Sequence, residues 1–260
     1  MNIIISGYGR MGKAIAEQAL EKGHTISAII DPDKDASLPE KGIPVYKDIQ
    51  ELSCLELAKS DVAIDFTHPS VALDNIKKFA QKKISLVVGT TGWYDELSEV
   101  KKIIENSGSS LLYASNFSLG VNLFYKIVSY TARLFDAFDE YDVAGFEVHH
   151  NKKADSPSGT AKSIARIVLD NMDRKTKIVY DKLDRPPENE ELHFASLRGG
   201  LVPGTHTLYF DSPADTIEIT HRARNRNGLA AGAIIAAEWL VNTVRSGNNG
   251  VYEFTDVLGK

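Results

Sequence analysis

The sequence predicts an α/β protein with a doubly wound parallel sheet at its start, followed by a second, α+β unit. Three observations predict this fold. Apolar strand-like segments alternate with helical segments up to about residue 116, a glycine-rich turn joins the first strand to the first helix, and strands dominate afterwards. With 260 residues, 43% of them apolar, the chain is long enough for two modest domains, which is what we expect.

The first part of the chain predicts a parallel sheet. Asn2–Ser6 is apolar and β-branched at consecutive positions, as in a buried parallel strand, and Arg10–Lys22 then changes to a helical period. The same reasoning assigns the segments that follow. Strands are predicted over Thr25–Ile30, Asp61–Phe66, Ile84–Val88 and Ser110–Ala114, and helices over Ser70–Gln81 and Tyr94–Asn106.

The pattern changes after Asn116. Leu119–Phe138 predicts a long helix, and Gly228–Val244 predicts an Ala-rich helix whose low polarity suggests that it packs back on the first sheet. We therefore expect a first domain of residues 1–117 completed by 229–260, and a second domain of residues 118–228 with a mixed, largely antiparallel sheet. Its predicted elements are strands Tyr141–His149, Lys177–Tyr180, His193–Arg198, Thr205–Asp211 and Thr216–His221, and a helix at about Thr160–Met172.

Composition excludes several classes of function. A net charge of −5 argues against a general nucleic-acid binder, which needs a basic surface. The single cysteine, Cys54, cannot form an intramolecular disulfide or a multi-cysteine zinc site, and it suits a reducing compartment. The longest apolar run, Leu229–Ala237, is too short to span a bilayer, and the first residues do not resemble a signal peptide. We expect a cytoplasmic protein with neither membrane nor nucleic-acid partners.

The turn after the first strand predicts a dinucleotide site of the Rossmann type. Gly7-Tyr8-Gly9-Arg10-Met11-Gly12 matches G-x-G-x-x-G between a strand and a helix. The glycines allow a tight turn and close approach of a pyrophosphate to the helix start. Asp31, at the end of the second strand, could accept hydrogen bonds from a ribose. The alternative is a structural glycine turn with a capping aspartate.

The nucleotide preference stays open. Asp31 should repel a 2′-phosphate and favour NAD, but Lys34 is close enough in sequence to weaken that preference. Two other strand ends could contact the nicotinamide half, because ligands of such sheets bind at the carboxyl edge. They are Gly89-Thr90-Thr91 and Ala114-Ser115-Asn116-Phe117, although both also fit plain turns.

The segment from Glu147 to Thr160 carries the second group of candidate residues. A metal site is disfavoured, because His149 and His150 are adjacent on a strand and point to opposite faces. A solvated charged loop is the other alternative. Gly159 and Thr160 at a helix start, together with His150, predict a receptor for a carboxylate.

Lys153 and His149 are the candidates for proton transfer. An ammonium held near other cations releases its proton more readily, so Lys153 could act as an acid near neutral pH. His149 would titrate in that range without help. A strand-end histidine with a purely structural role is the alternative. Arg198 and His206 could equally belong to the ligand pocket or to hairpin turns.

These motifs together resemble the 4-hydroxy-tetrahydrodipicolinate reductase family, also called dihydrodipicolinate reductase. The resemblance extends nearly from end to end. It depends on the glycine turn, Gly89-Thr90-Thr91-Gly92, Asn116-Phe117-Ser118-x-Gly120-Val121-Asn122, Glu147-x-His149-His150-x-x-Lys153-x-Asp155-x-Pro157-Ser158-Gly159-Thr160-Ala161, and Arg198-Gly199-Gly200 with Gly204.

The resemblance implies a two-domain reductase of lysine and diaminopimelate biosynthesis. It would reduce a cyclic imine dicarboxylate with NADH or NADPH and lose water, as a homotetramer. The resemblance makes His149 the histidine that gives or takes a proton, Lys153 the proton donor, and His150, Gly159 and Thr160 the contacts to the dicarboxylate. The nucleotide would contact Gly7 to Gly12, Asp31, Gly89 to Thr91 and Ala114 to Phe117.

Two other functions stay open from the sequence. A non-catalytic nucleotide sensor could keep the dinucleotide fold and use the basic segment for a regulatory anion. An aldehyde dehydrogenase would need a reactive thiol, but Cys54 lies in a polar helical stretch outside every motif.

Overall fold

The chain folds into two compact units. The computed structural model describes residues 1–32, 42–180, 182–225 and 227–259, so Lys34 lies outside the described residues. One unit comprises Met1–Leu119 with Asn227–Lys260, and the other comprises Gly120–Arg226. Among the described residues, no helix is both long and apolar enough to cross a bilayer.

The first unit is built on a seven-stranded sheet in which every strand pair is parallel. Numbered in chain order over the whole molecule, its strands are β1 (Asn2–Ser6), β2 (Thr25–Ile30), β3 (Val45–Tyr46), β4 (Val62–Asp65), β5 (Leu86–Val88), β6 (Leu111–Tyr113) and β12 (Val251–Glu253). The order across the sheet is β12-β6-β5-β4-β1-β2-β3. Its helices are α1 (Arg10–Glu21), α2 (Cys54–Lys59), α3 (Pro69–Gln81), α4 (Leu97–Ser107), α7 (Asn227–Arg245) and α8 (Phe254–Val257).

The predicted doubly wound sheet is confirmed. Sequence patterns missed only its outermost strands, β3 and β12, which have two and three residues and are too short to show a period. The predicted helix over Tyr94–Asn106 begins as a 3₁₀ turn, Tyr94–Glu96, before α4 starts. Short 3₁₀ turns are common at the start of α-helices.

Helices cover both faces of this sheet. On one face, Ile3 and Ile5 of β1 pack in a core with Ala233 and Leu240 of α7, so the last long helix does pack on the first sheet as expected. On the other face, Ile4 packs in a second core with residues of α3 and α4. Each fully buried isoleucine contributes about 1.5–3 kcal/mol relative to exposure.

The second unit contains a five-stranded mixed sheet. Its strands are β7 (Asp142–His149), β8 (Lys177–Val179), β9 (Glu191–Arg198), β10 (Thr205–Asp211) and β11 (Thr216–Arg222), in the order β11-β10-β7-β9-β8. Its helices are α5 (Leu119–Asp136) and α6 (Gly159–Asn171). The expected mixed sheet is confirmed: β10 pairs with β11 and β7 in antiparallel fashion, and β9 pairs with β7 and β8 in parallel fashion. The chain leaves β7 through α6 and returns in the same direction, and such a crossover produces parallel pairing.

The two faces of the second sheet differ. Phe194 and Leu208 belong to a buried core that also contains residues of α5 and α6. On the opposite face, Phe146, Tyr209 and Leu197 remain half-buried or exposed. The described residues therefore leave an apolar sheet face partly open to solvent.

Gly232 tests the packing of α7. A Cβ at this position would lie 1.6 Å from the carbonyl oxygen of Phe117, so Gly232→Ala must displace the helix. We expect it to lower the free energy of unfolding by about 1–3 kcal/mol, the usual cost of overpacking. Gly228→Ala in the same helix is the matched control, because its Cβ would meet only Ser118 Oγ at 3.6 Å. Urea denaturation measures both, and equal effects would contradict this account of the packing.

Candidate active site

The glycine turn of the first unit has the geometry of a phosphate-binding turn. Gly7 has a φ of +85°, and a Cβ there would lie 2.5 Å from the Phe66 carbonyl oxygen. A Cβ at Gly12 would lie 1.9 Å from the Gly7 carbonyl oxygen, so only glycine lets α1 pack this closely on the turn. At Gly9, which precedes α1, a Cβ would meet nothing within 4 Å. The approach to the helix start at Gly9 is therefore uncrowded, as a pyrophosphate requires.

A cleft of about 470 Å³ opens beside this turn. Gly7, Gly9 and Asp31 line it, and Asp31 Oδ2 accepts a hydrogen bond from Tyr8 N at 2.6 Å. Further along, Lys47 and Lys78 also line it, and Lys78 Nζ pairs there with the carboxylates of Asp48 and Asp74 at 2.6 and 2.9 Å. The volume falls within the range of small-molecule and cofactor sites.

Several predicted nucleotide residues lie outside the lining of this cleft. Arg10 is exposed, Tyr8 is buried, and Phe117 belongs to the first core, where its ring packs against Phe66 and Phe254. Gly89 is needed for packing, since a Cβ there would lie 2.2 Å from the Phe66 ring. The remaining predicted residues, which also lie outside this lining, are Met11, Gly12, Thr90, Thr91, Ala114, Ser115 and Asn116.

Sequence reasoning missed the buried carboxylate at the end of β4. Asp65 is 1% exposed, and its oxygens accept hydrogen bonds from Ser6 Oγ at 2.7 Å and Thr67 Oγ1 at 2.8 Å. Thr90 Oγ1 and Asn75 Nδ2 donate to the same carboxylate at 3.0 and 2.9 Å. Asp65 therefore joins the ends of three neighbouring strands with α3. The signal was available, because β4 also ends at the carboxyl edge of the sheet.

The polar cluster of the second unit is centred on Glu147. Alternation along β7 places Glu147 and His149 on one face of the sheet, and strand pairing sets His206 of β10 and Ser196 of β9 beside Glu147. The Glu147 side chain is fully buried. Its Oε1 accepts hydrogen bonds from Ser158 N, Ser196 Oγ and an Arg198 guanidinium nitrogen, each at 2.9 Å.

Arg198 links this cluster to the lysine of the following loop. The same guanidinium nitrogen donates to the Asp155 carbonyl oxygen at 2.8 Å. The carboxylate of Asp155 pairs with Lys153 Nζ at 2.7 Å. The structure thus brings Lys153, Arg198 and His206 into one network with Glu147 and His149. This favours the hypothesis that Arg198 and His206 belong to the ligand pocket over the hypothesis that they only form hairpin turns.

His149 lies against the second carboxylate oxygen. Its Nδ1 is 3.2 Å from Glu147 Oε2, and His206 Nε2 is 3.4 Å from the same oxygen. Burial raises the pKa of Glu147, but its contacts with His206, Ser158 and Arg198 outweigh burial and hold the pKa well below its ordinary value. The carboxylate is therefore charged at neutral pH.

The expectation that His149 titrates near neutral pH is wrong. Burial lowers the pKa of His149 to about 4, and the charges of His206, Lys153 and Arg198 act in the same direction. The Glu147 carboxylate acts in the opposite direction and raises the pKa. The imidazole of the free protein is therefore neutral at pH 7.

The predicted carboxylate receptor lies at the start of α6. Ser158 precedes the helix, and its hydroxyl accepts a hydrogen bond from Ala161 N at 3.1 Å. Gly159 and Thr160 are the first residues of α6, and a Cβ at Gly159 would meet nothing within 4 Å. His150 follows β7 and is half-buried, and its backbone N–H bonds to the Val202 carbonyl.

Glu147, His149 and His206 have side-chain ligand atoms within 4.8 Å of one another. A carboxylate with two imidazoles is a combination found in metal sites. In this cluster the guanidinium of Arg198 already supplies the positive charge to the carboxylate. This favours a hydrogen-bonded network, and the expectation of no metal stays a prediction.

Comparison with known proteins decides the family. Residues 1–117 match the model described as "Dihydrodipicolinate reductase, N-terminus", and residues 120–258 match "Dihydrodipicolinate reductase, C-terminus". The chain belongs to the dihydrodipicolinate reductase family. The resemblance drawn from its motifs is thereby confirmed.

Curated relatives agree over nearly the whole chain. The 4-hydroxy-tetrahydrodipicolinate reductase of Christiangramia forsetii is 38% identical, covering 99% of this chain and 98% of the relative. The protein of the same name from Methanoregula boonei is 34% identical, covering 99% and 97%. The chain is therefore an oxidoreductase of this family with a nucleotide-binding N-terminal domain.

Solved structures support the fold. A dipicolinate-bound dihydrodipicolinate reductase from Paenisporosarcina sp. TG-14 superimposes with a TM-score of 0.79 at 22% identity, covering 97% of each chain. A scyllo-inositol dehydrogenase from Lactobacillus casei with bound NAD(H) gives a TM-score of 0.59 at 13% identity, covering 99% of this chain and 93% of that one. At these identities the likeness concerns the fold alone.

The lowered pKa of His149 predicts a pH dependence of stability. Between about pH 6.5 and pH 4 the unfolded chain binds a proton at this residue that the folded chain does not, so stability falls as the pH is lowered through this window. The loss at pH 5 is on the order of 2 kcal/mol. Glu147 acts at lower pH, because a depressed carboxyl pKa contributes stability that is lost only below its ordinary value.

Chemical denaturation at pH 7 and pH 5 measures this dependence. His149→Asn should show a shallower decline than the unmodified chain, whatever its absolute stability. Equal slopes would show that His149 is not the group responsible.

Proposed function

We propose that this protein reduces 4-hydroxy-tetrahydrodipicolinate, a cyclic imine dicarboxylate, to tetrahydrodipicolinate with loss of water, in lysine and diaminopimelate biosynthesis. Hydride comes from NADH or NADPH. The observation that carries the proposal is the match over nearly the full chain, at 34–38% identity, to relatives named for this reaction. The overall change adds one hydride and one proton to the substrate and releases its 4-hydroxyl as water.

The nucleotide is assigned to residues 1–117 completed by 229–260. When bound, the reduced nicotinamide supplies the hydride. The pyrophosphate is assigned to the turn from Gly7 to Gly12, because a helix start with uncrowded backbone favours negative charge. Asp31, which lines the cleft, is assigned to the ribose. The nicotinamide half is assigned to Gly89, Thr90, Thr91, Ala114, Ser115, Asn116 and Phe117.

Residues 118–228 hold the substrate in this proposal. Its two carboxylates need positive partners, and the start of α6 at Gly159 and Thr160 supplies a partial positive charge. His150 adds a hydrogen-bonding imidazole beside β7. When both carboxylates are held, the ring of the substrate is fixed in place. The binding energy then serves to orient the reacting carbon correctly.

Lys153 and His149 carry out proton transfer in this proposal. Hydride addition to a carbon conjugated with C=N moves an electron pair toward nitrogen, and Lys153 Nζ is the donor that neutralises it. His149 is neutral before substrate binds. A bound dicarboxylate brings two negative charges and favours protonation of the imidazole, so His149 can then give a proton or return one to Lys153.

The assembly in this proposal is a cytoplasmic homotetramer. The half-exposed apolar residues Phe146, Tyr209 and Leu197 form a sheet face that a second copy can cover. An exposed thiol at Cys54 fits a reducing compartment. Light scattering on the full chain should give four times the mass of one chain, and the mass of a single chain would contradict this assembly.

Two variants, one in each unit, test the assignment of the two reactants. Lys153→Ala should lower kcat by about 10²–10⁴-fold, the usual contribution of a general acid, while nucleotide affinity is retained. Asp31→Ala should leave the chemical step largely unchanged and weaken NADH binding more than NADPH binding, because only NADH carries a free 2′-hydroxyl that can donate to this carboxylate.

Steady-state kinetics and fluorescence titration with each nucleotide separate the two effects. A Lys153→Ala protein with normal turnover would remove Lys153 from the mechanism. Equal weakening of NADH and NADPH by Asp31→Ala would refute the ribose assignment. Absence of nucleotide-dependent reduction by the unmodified protein would refute the proposed function itself.

A further inference from the structure

We propose that Glu147 is a positioning residue that holds His149 with its proton on Nδ1 and leaves Nε2 for the substrate. The proposal depends on the function proposed above, because it concerns the histidine of that site. Glu147 is fully buried and touches no reactant in this scheme. It acts through the imidazole beside it.

The carboxylate of Glu147 is fixed in one orientation. Three donors from three parts of the second unit point at Oε1: the backbone N–H before α6, the hydroxyl of Ser196 and the guanidinium of Arg198. Each distance is 2.9 Å. Rotation of the carboxylate would break all three bonds, so Oε2 is held toward the two histidines.

Oε2 selects the state of the imidazole that faces it. A charged carboxylate can only accept hydrogen bonds, so the favourable state of a ring nitrogen at 3.2 Å is N–H. For His149 that nitrogen is Nδ1. Because the ring is neutral and carries one proton, Nε2 then has a free electron pair. Oε2 and Nδ1 are close but not aligned as a hydrogen bond in the free protein, and catalytic bonds often tighten when substrate binds.

The space around Nε2 also supports an imidazole whose Nδ1 faces Glu147 and whose Nε2 is left for the substrate. A Cβ at Gly204 would lie 3.0 Å from His149 Nε2, closer than side chains ordinarily approach. Glycine at this position therefore leaves that side of the ring uncrowded. The carboxylate lies on the Nδ1 side of the ring and the glycine on the Nε2 side. In this proposal Nδ1 therefore faces Glu147, and Nε2 faces the substrate.

The charges that face His149 come from four elements. Glu147 lies on β7, Arg198 on β9 and His206 on β10, and Lys153 with its partner Asp155 lies in the loop after β7. Glu147 is the group that favours the protonated imidazole, whereas Lys153, Arg198 and His206 oppose it. Loss of the Glu147 charge should therefore lower the pKa of His149 further and free the proton to move to Nε2.

A second buried carboxylate in the same sheet provides a matched control. Glu191 of β9 is 2% exposed and forms ion pairs with Arg185 and Lys177 at 2.7 Å. Its described partners include no histidine. Glu191→Gln therefore removes a buried charge of the same unit without changing the carboxylate that faces His149.

Nitrogen-15 NMR of the imidazole rings reads the tautomer directly, with the His149 signal assigned by its loss in His149→Asn. In the unmodified protein at pH 7 we expect the proton on Nδ1. In Glu147→Gln we expect a shift toward the Nε2–H form and a lower pKa for His149. We also expect kcat to fall by about 10²-fold and the KM for nucleotide to stay within about twofold. Glu191→Gln should leave the tautomer and the pKa of His149 unchanged.

Three results would overturn the proposal. They are an Nε2–H tautomer in the unmodified protein, an unchanged tautomer in Glu147→Gln, and an equal change in Glu191→Gln. If Glu147→Gln does not fold, the spectrum of the unmodified protein decides alone. An unmodified protein that shows the Nδ1–H form but does not reduce the substrate would refute the proposed function instead.

Discussion

The second unit depends on keeping one carboxylate out of water. Transfer of an ionised carboxylate into a protein interior costs several kcal/mol even after relaxation, so it is tolerated only when hydrogen bonds and nearby positive charge compensate it. Glu147 obtains its partners from β9, from β10 and from the residue before α6. The need to compensate this charge ties the sheet to the start of the helix, and the same contacts arrange the histidine and arginine groups around the candidate substrate site.

Close backbone packing constrains the first unit more than the burial of charge does. At Gly7 and Gly12 the backbone of the turn approaches its neighbours too closely for any side chain. The carboxylate at the end of β4 has only neutral donors among its described hydrogen bonds, namely three hydroxyl groups, the side-chain amide of Asn75 and the backbone N–H of Thr67. Such an arrangement links the strand ends without an ion pair among the described residues, and the positive end of α1 stays available for an anion.

The sequence was informative where structure is local. A run of apolar β-branched residues predicted β1, and the spacing of glycines predicted the turn, because both depend on neighbours within a few positions. The parallel pairing of β7 with β9 was not predictable in this way, since it depends on where the chain returns after α6. The ionisation of His149 was predicted wrongly for a similar reason. It depends on burial and on charges from separate strands, which no local pattern reveals.

The last long helix has a consequence for how the chain is assembled during synthesis. Ala233 and Leu240 of α7, and Phe254 after β12, belong to the same core as β1. The whole second unit is translated between them. The core of the earliest strands therefore cannot close when those strands emerge from the ribosome, and it must wait while the inserted unit is made. Because residues leave the ribosome at about 5–20 per second, the unfinished sheet stays exposed for several seconds, when a chaperone can bind it.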